Sequence, residues 1–189
     1  MKNFPITHEG KTYWIARNNV VVCFVFTLIN NKWNILANKR GGSSGECVNL
    51  WNVPCGYVDF DETFEQTAIR EVYEETGVKI NYASFINFND VPDDDKQDIG
   101  FRYYSIIPTA QMLELSSDSE SRGGEKDEVR DVKWIPISEI NNYKWAFNHL
   151  ELIRFVSNYL VLKTYIQKFA TGGRNSDLWN GPTSIMTDE

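Results

Sequence analysis

Apolar residues run almost unbroken from Val20 to Leu28, many of them β-branched. A run of that kind predicts a strand covered on both faces. Asn30-Asn31 supplies a turn, and Trp33 to Ala37 returns as a second strand. Leu50 to Val58 predicts a short strand and loop bent at Pro54. The period then changes. Ala68, Ile69 and Val72 form an apolar helical stripe, Thr63 and Gln66 fit a capping box, and Gly77 suits a left-handed C-terminal cap. A helix is therefore predicted from about Glu65 to Thr76. Tyr82 to Asn89 and Ile99 to Ile107 read as strands joined by the acidic loop DVPDDDKQD. That loop lacks the glycine and terminal glutamate of an EF-hand, so its aspartates read as solvated. Asp131 to Ile137 is a further strand, with Ser138 placed to cap a short turn. From about Trp145 to Phe169 the residues Phe147, Leu150, Ile153, Val156, Leu160, Ile166 and Phe169 recur at helical spacing and predict one long closing helix, stopped by Gly172-Gly173.

The pattern yields a sheet bracketed by two helices, an α/β chain. Its 189 residues, 42% hydrophobic, can bury the core of one domain, expected over 1–170 with an N-terminal strand, followed by a loose polar tail over 171–189. The formal charge of −7 speaks against an extended nucleic-acid surface. No apolar run reaches the length of a membrane span, and the N-terminus lacks the apolar core of a signal peptide. A cytoplasmic protein with no membrane partner is expected. Cys23, Cys47 and Cys55 are an odd number at unpatterned spacing, which suits free thiols. A catalytic thiol is the sharper reading, with only His8 and His149 available as bases and no local signature around either.

Candidate chemistry lies on the first helix. Glu71, Glu74 and Glu75 share one face, a carboxylate patch one turn long that the apolar stripe turns outward. Like charges at that spacing repel, and the helix macrodipole is negative in that half. Something positive is needed there, and hard oxygen ligands with an incomplete shell suit Mg²⁺ or Mn²⁺. A charge run is ordinarily a solvated face; the joint presence of two glycines, an arginine and four glutamates at fixed offsets sets this one apart.

Those offsets, GYVDFDETFEQTAIREVYEETGV from Gly56 to Val78, resemble the Nudix box in every defined position. The resemblance implies the Nudix-type α/β/α sandwich with a mixed sheet over roughly Asn18 to Ala170. It implies Glu71 and Glu75 as principal metal ligands and Glu74 as a further ligand or catalytic support. Arg70 and Glu62 correspond to the structural pair of the motif, and Gly56 and Gly77 to its glycines. The family's carbonyl ligand before the box glycine maps to Cys55, where glycine is common; a carbonyl serves whatever the side chain, unless that backbone must be left-handed. Family members also recruit a distant acid as ligand or general base. The segment EVRDVKWIPISEI resembles the strand that follows it, which makes Glu128 the first choice and Glu125 the second, with an ordinary charge in the polar stretch Ser116 to Glu128 as the alternative.

The expected activity is metal-dependent hydrolysis of a phosphoanhydride in a nucleoside diphosphate joined to another group, by water attack on phosphorus. The expected partner is a nucleotide-type small molecule, with a homodimer left open. GGSSGE, residues 41–46, reads as a mobile loop without the ending of a P-loop, and Arg40 before it is placed to meet substrate phosphate, with a solvated surface pair of Lys39 and Arg40 as the alternative. Trp14, Trp51, Phe101, Tyr103 and Trp145 are candidate base platforms, although most aromatics in such a chain pack in the core. Pro92 and WAFNHLELIRF resemble features of ADP-ribose-cleaving relatives, and His149 in that segment is either a substrate contact or a structural histidine. Three alternatives stand beside this reading: a nucleoside triphosphate pyrophosphohydrolase, a non-catalytic ligand-sensing Nudix module, and an isopentenyl diphosphate isomerase in which Cys55 is the tempting catalytic cysteine.

Overall fold

The computed structural model describes residues 3–92, 97–109 and 115–170, with side chains as far as 163. The tail 171–189, the centre of the acidic loop, and the side chains of Ile166 and Phe169 lie outside these residues.

β1 (Phe4–His8) and β2 (Lys11–Ile15) form a separate two-stranded hairpin in place of the expected single N-terminal strand. β3 (Asn19–Ile29) is the central strand, and Val21 to Thr27 are all buried, as the apolar run demands. The Asn30-Asn31 turn takes positive φ at both residues, which asparagine tolerates, and returns the chain as β4 (Lys32–Arg40). β5 (Trp51–Asn52) and β6 (Cys55–Tyr57) follow, then α1 (Phe64–Thr76), β7 (Ser84–Asn89), β8 (Ile99–Ile106), β9 (Val129–Pro136) and α2 (His149–Ala170).

The sheet runs β5-β4-β3-β8-β7, with β9 on β4 and β6 on β3. β3 pairs parallel with β8 and antiparallel with β4 and β6, so the sheet is mixed. The two partners on that edge divide β3 between them: β6 takes Val20 to Val22, and β4 takes Phe26 to Ile29. Strand alternation then makes two cores. Val21, Cys23 and Val25 pack with Ala68 and Val72 of α1, while Val22, Phe24 and Phe26 pack with Ile153, Val156 and Leu160 of α2. Each fully buried Val, Ile or Phe contributes about 1.5–3 kcal/mol, which is what holds α1 in place. The result is the α/β/α sandwich expected from the sequence.

Three local expectations are corrected. The closing helix begins at His149 rather than Trp145, because Trp145 is bridged to Trp51 and Ala146 N donates to Trp51 O at 2.7 Å. A positive φ at Phe147 then turns the chain into the helix. Ser138 caps nothing; the 3₁₀ turn Ile137–Asn142 opens after Pro136 with Ser138 inside it. The 41–46 loop is tied down rather than loose: Gly41 N donates to Glu128 O at 2.6 Å, Ser43 N to Asp127 O at 3.2 Å, and Ser44 Oγ to Glu128 O at 3.1 Å.

Candidate active site

α1 is delimited by its own chemistry. Thr63 Oγ1 accepts from Gln66 N at 3.2 Å, Gln66 Oε1 accepts from Thr63 N at 2.8 Å, and Gly77 ends the helix at φ 78°. The carboxylates it carries do not face outward as expected. Glu71 and Glu75 are only 7% and 3% exposed, because the backbone of β6 lies over them. Cys55 N donates to Glu75 Oε2 at 3.0 Å. A Cβ on Gly56 would strike Glu71 Oε1, so only glycine lets β6 come this near. Cys55 is not among the residues with positive φ, so a cysteine there imposes no strain. Its Sγ accepts from Asn52 Nδ2 at 3.6 Å, and burial, reinforced by the Glu75 charge, pushes the thiol well above its ordinary pKa. It is a neutral thiol.

Arg70 gathers the acids. Its Nε donates to Glu62 Oε1 at 2.8 Å, and its Nη2 to Glu62 Oε2 at 3.1 Å and Tyr57 O at 3.0 Å. Its Nη1 donates to Glu71 Oε1 at 2.7 Å and to Glu74 Oε2 at 2.9 Å. Burial alone would lower the pKa of Arg70; its bonds to Glu62, Glu71 and Glu74 outweigh that and raise it. The Arg70 hydrogen bond holds Glu62 below its ordinary value. Glu71 moves the other way, up to about 7, because burial outweighs Arg70 and the charges of Glu74 and Glu128 add to it. Glu75 is likewise raised, by burial and then by Glu71 and Glu128.

Glu128 joins this group from the loop before β9. Its Oε2 accepts from Glu125 N at 2.9 Å, and burial, with the charges of Glu125 and Glu74, raises its pKa. Of the two distant acids, Glu128 acts on Glu71 and Glu75 through its charge, while Glu125 N holds the Glu128 carboxylate. Arg40, at the end of β4, donates to Glu46 O at 3.0 Å and Ser44 O at 2.9 Å, and its guanidinium lies 5.0 Å from the Phe147 ring centroid. Its charge acts on Glu75, Glu128 and Cys55.

Phe101 and Tyr103 are placed elsewhere. Phe101 stacks on Phe64 with centroids 4.0 Å apart, and Tyr103 meets Phe85 edge-on at 5.5 Å; both belong to the core around the first turn of α1 and the β7–β8 pair. Along the register, β3 separates Phe101 from Gly56. Of the other platforms, Trp14 stands exposed on β2, Trp51 packs edge-on against Tyr143, and Trp145 Nε1 donates to Ile140 O at 2.8 Å. His149 is a buried structural acceptor: Nδ1 takes Val53 N at 3.2 Å, and burial followed by the Arg40 charge lowers its pKa to about 3. Arg122, invisible to motif reasoning, donates to the Tyr73 and Glu74 carbonyls at the end of α1. Its only sequence signal was a basic residue inside the polar stretch ahead of Glu128.

Among the described residues, no three acidic, histidine or cysteine side chains already stand in metal-ligating geometry; Arg70 Nη1 sits between Glu71 and Glu74. The donor set nonetheless fits a hard divalent cation. Glu71, Glu74, Glu75 and Glu128 offer carboxylate oxygens, and burial together with mutual repulsion raises the pKa of Glu71, Glu75 and Glu128, a strain that a cation relieves.

A family model described as NUDIX domain matches residues 18–156. The chain is 30% identical over 148 residues to the NAD-capped RNA hydrolase NudC of Mannheimia succiniciproducens, covering 70% of this chain and 45% of that protein. It is 28% identical over 156 residues to isopentenyl-diphosphate Delta-isomerase 2 of Photorhabdus laumondii, covering 82% of this chain and 77% of that one. The NUDIX domain of Shewanella oneidensis NrtR, solved with ADP ribose, superposes with a TM-score of 0.64 at 25% identity, covering 77% of this chain and 90% of that one. NrtR has also been solved with a 27mer DNA. The chain spans 34–45% of the length of several curated relatives it matches.

The geometry predicts two outcomes. Gly56→Ala should fold with a stability loss of about 1–3 kcal/mol, since the new methyl displaces the Glu71 carboxylate; urea unfolding with Mn²⁺ titration checks it, and unchanged cation affinity would contradict it. Glu71 keeps its proton in the folded state up to about pH 7, whereas the unfolded chain releases it near the ordinary 4.5. Its contribution is therefore fully present below the lower value and lost as pH rises through the upper one. Without divalent cation, Glu71→Gln should melt with wild type at pH 4.5 and above it at pH 8, as read by calorimetry.

Proposed function

Since the chain belongs to the Nudix family, we propose that it hydrolyses a phosphoanhydride bond in a nucleoside diphosphate joined to a second group, with ADP-ribose-like compounds as the leading class. The observation that carries this reading is that Glu71 and Glu75 lie buried against the Cys55-Gly56 backbone, with the charge of Glu128 acting on both and that of Glu74 on Glu71. Glu71, Glu75 and the Cys55 carbonyl would hold Mg²⁺ or Mn²⁺, with Glu74 as a further ligand and the carboxylate of Glu128 adding to the cation affinity of the cluster. When bound, the metal supplies charge for the phosphate oxygens and acidifies water.

The remaining work falls to the chain itself. Arg70 and Glu62 hold α1 against the box loop, so the acids do not reorganise as charge builds on phosphorus. Arg40, fixed by Ser44 and Glu46, is a cation at the cluster's edge and suits a substrate phosphate. Glu128 is the favoured proton acceptor: burial raises its pKa, the direction a base needs, and Glu125 N orients its carboxyl. Glu74, held by Arg70, is the second candidate. The ADP-ribose class rests on the likeness to the NrtR domain together with Pro92 and the segment WAFNHLELIRF.

The likeness to NrtR also supports a second reading, a ligand sensor that binds DNA. Conversely, the half-buried thiol of Cys55, engaged by Asn52 and with its pKa raised, speaks against an isomerase that depends on a reactive cysteine.

Glu75→Gln should lower Mg²⁺-dependent turnover of ADP-ribose by about a hundredfold or more while the protein remains folded by circular dichroism. Unchanged activity would overturn the assignment. In the same assay wild type should hydrolyse ADP-ribose faster than nucleoside triphosphates; salt-sensitive binding to duplex DNA without turnover would favour the sensor.

A further inference from the structure

α1 ends without a basic residue in its last turn, although that end carries the negative pole of the helix and three glutamates. Its terminal carbonyls need donors. Tyr73 O accepts from Gly77 N at 2.8 Å, but Val78 N turns to Thr76 Oγ1, so it does not serve Glu74 O. The missing donor comes from the 3₁₀ turn Glu120–Arg122. Arg122 Nε lies 2.8 Å from Tyr73 O and 3.2 Å from Glu74 O, and Nη2 lies 2.8 Å from Glu74 O.

The other side of the same guanidinium holds the loop. Nη1 donates to Ser116 Oγ and Nη2 to Ser116 O, both at 2.9 Å, while Ser116 N donates to Thr76 O at 2.9 Å. Gly123 follows at φ 106°, where a Cβ would come within 2.8 Å of Glu74 Oε1, so the loop rests directly on that carboxylate. From there the hydrogen bonds continue toward Glu128. Ser119 O accepts from Arg122 N at 2.9 Å, Ser119 Oγ donates to Glu125 O at 2.9 Å, and Glu125 N holds Glu128 Oε2 at 2.9 Å.

We propose that Arg122 is a positioning residue: it locks the Glu128-bearing loop onto the C-terminal end of α1 and so sets Glu128 against Glu71 and Glu75. This rests on the reading of Glu128 as a member of the active site. Arg122 touches no reacting atom. It supplies positive charge to a helix end that lacks its own, and joins the two chain segments whose carboxylates must meet. The planar fork matters, because one ammonium cannot serve the helix carbonyls and Ser116 together.

The test is a double-variant cycle on the full chain, reading Mn²⁺ affinity by calorimetry without substrate, and turnover separately. Arg122→Ala should weaken Mn²⁺ binding about tenfold, with partial recovery in Arg122→Lys. Since Arg122 acts through Glu128, Arg122→Ala should cost little further in a Glu128→Gln background. Ser119→Ala, which cuts the same chain of bonds at a milder point, should give the same signature at smaller size and covers the case of an Arg122 variant that does not fold. Equal losses in the two backgrounds would overturn the role of Arg122 while leaving Glu128 in the site. Wild-type affinity and turnover in Glu128→Gln would instead remove the reading beneath it.

Discussion

Arg70 is the interaction on which the rest of the site depends. Three carboxylates, Glu71, Glu74 and Glu75, crowd the C-terminal half of α1, where repulsion and the helix dipole both work against them. One guanidinium answers this by bonding Glu62, Glu71 and Glu74 and the Tyr57 carbonyl. It closes the box loop onto the helix in the same act. The Arg70 side chain is 23% exposed, so removing one partner costs less than the roughly 3–5 kcal/mol of a fully buried pair, yet it leaves the remaining acids without their shared donor.

The sheet puts that unit where other segments can reach it. β3 hands its first half to β6 and its second half to β4, so the Pro54-Cys55-Gly56 backbone is carried over the acids of α1. β4 then pairs with β9, which brings the end of β4, with Arg40, alongside the loop that carries Glu128. The 41–46 segment hydrogen-bonds to Asp127 and Glu128 and holds these ends together. Sheet register thus gathers residues that are far apart in sequence around one cluster of charge.

Much of this was legible in the chain. The box helix, its caps and the central strand were written in local patterns, which need no tertiary context to read. What stayed hidden was set by packing. The burial of Glu71 and Glu75 depends on Gly56 admitting a close approach between β6 and α1, and no periodicity carries that information. Phe101 and Tyr103 were plausible platforms by type alone; strand alternation turns them into the core beneath α1. Trp145 stands at helical spacing with the apolar residues of α2, yet it is bridged to Trp51 instead. Arg122 reaches the end of α1 from a loop far along the chain, a contact of tertiary origin.

The central claim is that this constellation directs water at phosphorus. Incubation with Mg²⁺ and ADP-ribose in ¹⁸O-labelled water, with the products analysed by mass spectrometry, tests it most directly. The account predicts two monophosphates, one of them carrying a single ¹⁸O in its phosphate. Intact substrate, or cleavage that leaves both phosphates unlabelled, would contradict it.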